Sequence, residues 1–213
     1  MKSIRYLVTE FFILFVLLPI SFAYPYPVLA KAILTLAGFI YVLVVLRNVE
    51  GLSFRVKKGM DWKAFWRRIM IIFIPLAVAT GVFVYLDEPN NLFYVPRTNL
   101  KLFIMILFIY TFLSVWPQEV IYRTFFFKRY ETLFRSKALF IFINGIIFSL
   151  AHIFFRNTLV LILTFIGGVL FGLTYVRFRS TTLVSIEHSL YGCWLFTVGM
   201  GQMLAFPGME QPQ

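Results

Sequence analysis

Cysteine, histidine and acidic residues are all scarce in this chain, and each shortage removes a class of function. A single cysteine, Cys193, excludes an internal disulfide and any thiolate metal cluster. Two histidines, His152 and His188, leave a zinc site only if carboxylates complete it. Charged residues are 14% of the 213, against 61% hydrophobic, a balance foreign to a soluble fold of this size. The 20 Lys and Arg outnumber the 9 Asp and Glu for a formal charge of +11, but the bases lie between apolar runs, where orientation in a bilayer explains them. Nucleic acid is therefore not a partner; the lipid bilayer is.

The apolar runs predict an all-α, polytopic transmembrane helical bundle of about seven spans, with room for an eighth helix, in one integral domain over 1–213. They run from Tyr6 to Ala23, Val28 to Leu46, Ile69 to Leu86, Leu100 to Lys128 with Arg123 well inside it, Ala138 to Phe155, Thr158 to Val176, and Leu183 to about Phe206. Each is near the roughly 20 residues that cross a hydrocarbon layer, and the longer fourth run is expected to tilt or kink near Pro117. The first run ends in Ser21-Phe22-Ala23 like a signal peptide, but further apolar helices follow, so it is read as a retained span.

Lys2 and Arg5, the stretch Arg47 to Arg68, Lys128 to Lys137, and Arg177 with Arg179 fall on one side of this arrangement. The bias predicts a cytoplasmic N-terminus and an external C-terminus, and the short basic loops with no soluble domain between the runs favour a prokaryotic cytoplasmic (inner) membrane. Between Arg47 and Arg68, Trp62, Phe65 and Trp66 suit either a helix lying in the headgroup layer or a cytoplasmic loop with interfacial aromatics.

Ionisable groups inside the spans are expensive and mark candidate function. They are read as Glu119, Arg123, His152, Glu187 and His188. Glu119 and Arg123, four apart, share a helix face. Each group also has a structural explanation: the Glu-Arg pair can staple helices, a histidine can be an interhelical donor, and Glu187 can cap a helix at the interface. Together, a buried carboxylate and two imidazoles suit water activation and oxyanion stabilisation. Glu119, His152 and His188 could alternatively hold a divalent metal such as zinc, although they form no helical His-Glu-x-x-His signature.

Three segments carry a resemblance: Gln118-Glu119-Val120-Ile121-Tyr122-Arg123, Phe148-Ser149-Leu150-Ala151-His152, and His188-Ser189-Leu190-Tyr191-Gly192. In order and spacing they resemble the Glu-Glu-x-x-x-Arg, Phe-x-x-x-His and His-x-x-x-Asn motifs of the CPBP family, the CAAX-processing and bacteriocin-protection group of intramembrane endopeptidases. The similarity spans the motif-bearing core from about Leu100 to Phe206, and Gly167-Gly168 also looks like the family's Gly-containing helix.

The resemblance implies a glutamate that activates water, helped by histidines, to cut a peptide bond near the end of a membrane-anchored or lipidated protein or peptide. In that light Glu119, His152, His188 and Arg123 are the catalytic candidates, and Gln118, Phe148, Glu187 and Gly192 the supporting ones. No cofactor is required, and zinc stays an option.

Two positions depart from the pattern. Gln118 replaces the family's first glutamate and cannot take a proton at working pH; Gly192 replaces an asparagine that helps form the oxyanion site. Either Glu119, with Glu187, has taken over the base role, or the chain is an inactive membrane binding or protection protein. A small transporter would also use intramembrane Glu, Arg and His, but no paired broken helices or repeats are visible. Counted from the basic loops, His188 lies near the cytoplasmic end of its span, Glu119 deeper and His152 near the outer end, so a shared site requires a short or re-entrant helix.

Overall fold

The computed structural model describes residues 3–51 and 59–204, nearly all of them helical. Six stretches are long and apolar enough to cross a membrane: α1 (Ile4–Ser21), α2 (Val28–Asn48), α3 (Trp62–Asp87), α4 (Leu100–Leu133), α5 (Lys137–Leu150, followed by a 3-10 turn at Ile153–Phe155) and α6 (Thr158–Phe178). The seventh expected run also forms a helix, α7 (Thr181–Val198). It stands apart from the six because Thr181, Thr182, Ser185, Glu187 and His188 dilute its apolar character. The chain is thus an all-α polytopic membrane protein, and Phe206, the expected end of the last span, lies outside the described residues.

Polar residues placed just before the apolar runs start the helices. Asp61 accepts from Ala64 N–H at 2.9 Å, Asn99 from Leu102 N–H at 3.0 Å and Asn157 from Val160 N–H at 3.1 Å. Each satisfies one of the amides that a helix start leaves without an internal partner. Trp62, Phe65 and Trp66 belong to the opening turns of α3, with Phe65 wholly buried, so residues 62–68 run on into the third span and form neither a loop nor a separate helix before it. Burial of Phe65 inside the protein holds these turns in the transmembrane helix. Arg55, Lys57 and Lys58 of the same basic stretch lie outside the described residues.

Among the described residues, prolines mark two of three π-helical segments. Ile13–Leu17 precedes Pro19, and Tyr110–Val115 precedes Pro117. A proline inside a helix lacks an N–H and presses on the carbonyl four residues back. Widening the preceding turn accommodates it without breaking the helix inside a membrane. The disturbance expected near Pro117 takes this form. The third segment, Val120–Phe125, contains no proline.

The chain divides into two compact units. The first lies within Met1–Val56 and Pro117–Thr181. Its tightest pairing is α5 on α6, where Gly145 meets Gly168: a Cβ on Gly168 would stand 2.9 Å from Gly145 Cα. Small residues at a crossing let two backbones approach and gain dispersion contacts, the main attraction available between helices in lipid.

A buried ionic cluster ties α1 into the same unit. Arg129 Nε and Nη2 donate to the two Glu10 oxygens at 2.8 and 3.0 Å, and Nη1 donates to Glu50 at 2.8 Å. The hydroxyls of Tyr130, at 3.0 Å, and Tyr41 also donate to Glu10. Glu10 therefore joins the ionisable groups inside the spans, and so does Lys31, whose ammonium donates to Phe22 O at 2.6 Å. Both stand within apolar runs and correct the shorter set read from the sequence. Each has a hydrogen-bonding partner that offsets part of the cost of placing it in an apolar run.

The second unit lies within Lys57–Trp116 and Thr182–Gln213. Val95, Ile106, Tyr110, Val115 and Phe196 form its buried core. Trp194 Nε1 donates to Thr80 Oγ1 at 2.8 Å, and the Phe73 ring stacks on Tyr191 at 5.8 Å, fastening α7 to α3.

Candidate functional site

Glu119 and Arg123 are both completely buried. Arg123 Nε lies 3.3 Å from Glu119 Oε2, the ion pair their spacing anticipates. The guanidinium is centred 4.3 Å over the Phe148 ring and 5.3 Å from the Phe171 ring, and its Nη2 donates to Gly168 O at 3.3 Å. Two aromatic faces, a carboxylate and a carbonyl thus surround one cation in an apolar setting, where each aromatic contact is worth about 0.5–2 kcal/mol. The small Gly145–Gly168 crossing brings that carbonyl within reach of Arg123.

His152 follows the end of α5 and is half-buried. Its Nδ1 donates to Phe148 O at 2.7 Å, which fixes the tautomer and leaves the lone pair of the neutral ring on Nε2. The imidazole packs on the Phe148 ring at 4.9 Å and on Phe155 at 6.0 Å. Glu119, Arg123, Phe148 and His152 are therefore connected in series within the first unit. The distance that depth counting put between Glu119 and His152 is bridged by Arg123 and Phe148. Gln118, beside Glu119 on α4, is half-buried.

Asn144, not anticipated from the sequence, positions this group. The Phe126 N–H, which would serve the Tyr122 carbonyl in an α-helix, donates to Ile121 O in the π-helical segment. Asn144 Nδ2 donates to Tyr122 O at 2.7 Å instead, from a wholly buried site on α5. π-Helical turns are frequent at functional sites because they re-aim side chains. The available signal was a lone amide within the apolar run Ile141 to Ile147.

Glu187, His188 and Gly192 belong to the second unit. Glu187 is wholly buried and accepts from the Tyr191 hydroxyl at 3.2 Å, so it is not an interfacial cap. The apolar packing of α7 on α3 carries it inside. His188 is buried with its ring edge-to-face against Tyr110 at 5.9 Å. Gly192 lies one turn further along α7, and a Cβ there would run into the Tyr110 phenol.

Among the described residues, no three His, Cys, Asp or Glu side chains are grouped as metal ligands. Glu119, His152 and His188 are thus not assembled as a zinc ligand set.

Comparison with known proteins matches residues 100–194 to a family model described as Type II CAAX prenyl endopeptidase Rce1-like. That segment contains all three motif regions, from Gln118 to Gly192. No curated protein and no solved structure matches the chain.

Proposed function

We propose, from the similarity of residues 100–194 to the type II CAAX prenyl endopeptidase Rce1-like family model, that the chain is an intramembrane endopeptidase. Its substrate is a membrane-anchored or lipidated protein or peptide, cut near its C-terminal end. The basic loops orient it with the N-terminus in the cytoplasm and the C-terminus outside, in a prokaryotic cytoplasmic membrane.

The observation that carries this reading is the Arg123–Phe148 stack, which docks the motif bearing Glu119 onto the motif bearing His152. Glu119 takes a proton from water as the water oxygen bonds to the scissile carbonyl carbon. Oxygen gains the negative charge, which His188 stabilises by hydrogen bonding. Collapse breaks the C–N bond, and the proton taken from water passes to the leaving nitrogen. His152, its Nδ1 committed to Phe148, offers Nε2 to hold the water. Arg123 holds the Glu119 carboxylate in place, and Gln118 supplies an amide donor.

One observation favours a second reading, a catalytically inactive membrane binding protein. Glu119 is wholly buried and its Oε2 lies 3.3 Å from Arg123 Nε, so the carboxylate is already engaged inside the protein.

The test uses the full chain in nanodiscs with quenched membrane-tail peptides. Wild type is expected to cleave, with losses of about 10²–10⁴-fold in Glu119→Gln, His152→Ala and His188→Ala, and with an unchanged rate in chelator. Wild-type cleavage by Glu119→Gln overturns the mechanism. Cleavage confined to Gln118→Glu establishes the inactive reading.

A further inference from the structure

Tyr110 and Gly192 share one space. The Tyr110 ring is buried in the second unit, edge-to-face with His188 at 5.9 Å and with Phe196 at 4.9 Å. A Cβ built on Gly192 would collide with the Tyr110 hydroxyl, Cε1 and Cζ. The phenol therefore occupies the volume that a side chain at position 192 would fill. His188 and Gly192 are four residues apart on α7 and lie on one face. The polar group presented one turn from His188 thus comes from α4, as a hydroxyl laid against bare backbone.

We infer that Tyr110 is a catalytic residue, its hydroxyl donating to the carbonyl oxygen of the scissile peptide bond as that oxygen becomes an oxyanion beside His188. The inference rests on the endopeptidase reading and deepens it. A phenol is protonated at neutral pH and is a competent donor in a water-poor site, where a fixed donor aimed at developing charge is worth far more than in water. Tyr110 gives up no proton; it contributes a hydrogen bond alone. The adjoining π-helical segment, Tyr110–Val115, begins at this residue and widens α4 where the phenol leaves it. Glycine at 192 is then a requirement of the site: any larger residue displaces the donor.

The experiment compares kcat, KM and thermal unfolding of the full chain in nanodiscs for wild type, Tyr110→Phe, Tyr110→Ala, Gly192→Ala and the double variant Tyr110→Ala with Gly192→Asn. Tyr110→Phe keeps the ring and is expected to lower kcat by about 10²–10³-fold with KM and the unfolding temperature unchanged. Gly192→Ala is expected to lose activity likewise. The double variant is expected to exceed Tyr110→Ala, because an amide donor then enters the vacated space. Wild-type kcat in Tyr110→Phe overturns the inference while the endopeptidase reading stands. A fall in kcat matched by a fall in folded protein assigns Tyr110 to packing and also overturns it. If only the Gln118→Glu chain cleaves, the same comparisons in that background decide by the same criteria. Silence of both wild type and Gln118→Glu removes the endopeptidase reading and this role together.

Discussion

The Arg123 guanidinium rests 4.3 Å from the centre of the Phe148 ring, and that contact joins two sequence motifs into one structural unit. Phe148 lies between the cation and the His152 imidazole, so it positions both groups while contributing no polar atom of its side chain. Replacing Phe148 by alanine removes a fully buried ring and is expected to destabilise the protein by about 3–5 kcal/mol. Phe148→Leu keeps apolar volume but loses the aromatic face, so its stability falls less while cleavage still drops. Denaturant unfolding in detergent, run beside the peptide assay, separates the two effects.

Asn144 makes a narrower prediction. Asn144→Leu leaves the Tyr122 carbonyl without the amide that now donates to it at 2.7 Å, at an expected cost of about 1–3 kcal/mol. Asn144→Asp should be worse, because a carboxylate cannot donate to a carbonyl and a charge would be buried. Hydrogen exchange over Val120–Phe125 should quicken in both variants. Unchanged exchange would show that the π-helical turn does not depend on Asn144.

The two ion pairs at Arg129 and Arg179 should differ sharply in a double-mutant cycle. Arg129 and Glu10 side chains are 3% and 4% exposed, whereas Arg179 and Glu131, 2.8 Å apart, are 41% and 42% exposed. Removing one partner of the buried pair strands a charge and is expected to destabilise by about 3–5 kcal/mol. The exposed pair should couple by about 0–1 kcal/mol, less in high salt. Equal coupling energies in the two cycles would contradict this assignment.

Much of this architecture was legible because apolar run length is a local property. Six runs became helices long enough to span a membrane, and Asn99 and Asn157 stand where α4 and α6 begin. The Glu119–Arg123 pair was legible for the same reason, since its spacing lies within one helix. Glu10 and Lys31 were passed over near the ends of their runs, although each is an ionisable residue in an apolar segment, and only tertiary partners explain them. Tyr110 was hidden differently. Nothing in a sequence says that a phenol from α4 will fill the side-chain space of Gly192, and a tyrosine in an apolar run reads as packing. The π-helical register of Val120–Phe125 likewise depends on which donor reaches Tyr122 from α5.

Gly168 provides the last prediction, since its carbonyl is tied to the site and its Cα to the helix crossing. A Cβ at 168 would lie 2.9 Å from Gly145 Cα and 3.2 Å from Gly145 O, both backbone atoms that cannot rotate away. Gly168→Ala must therefore push α6 off α5, at an expected 1–3 kcal/mol, roughly the cost of overpacking a core. The same movement carries the Gly168 carbonyl away from Arg123 Nη2, now 3.3 Å from it, and loosens the grip on Glu119. Gly81→Ala is the control: its Cβ would meet only the Val198 side chain at 3.9 Å, an ordinary contact, and alanine favours a helix by up to about 1 kcal/mol over glycine. Gly168→Ala should lower both the unfolding temperature and the cleavage rate, whereas Gly81→Ala should hold or raise the first and leave the second alone. If both variants behave as wild type, the close crossing does not hold the carbonyl on Arg123, and the arginine must be positioned by the Phe148 and Phe171 rings alone.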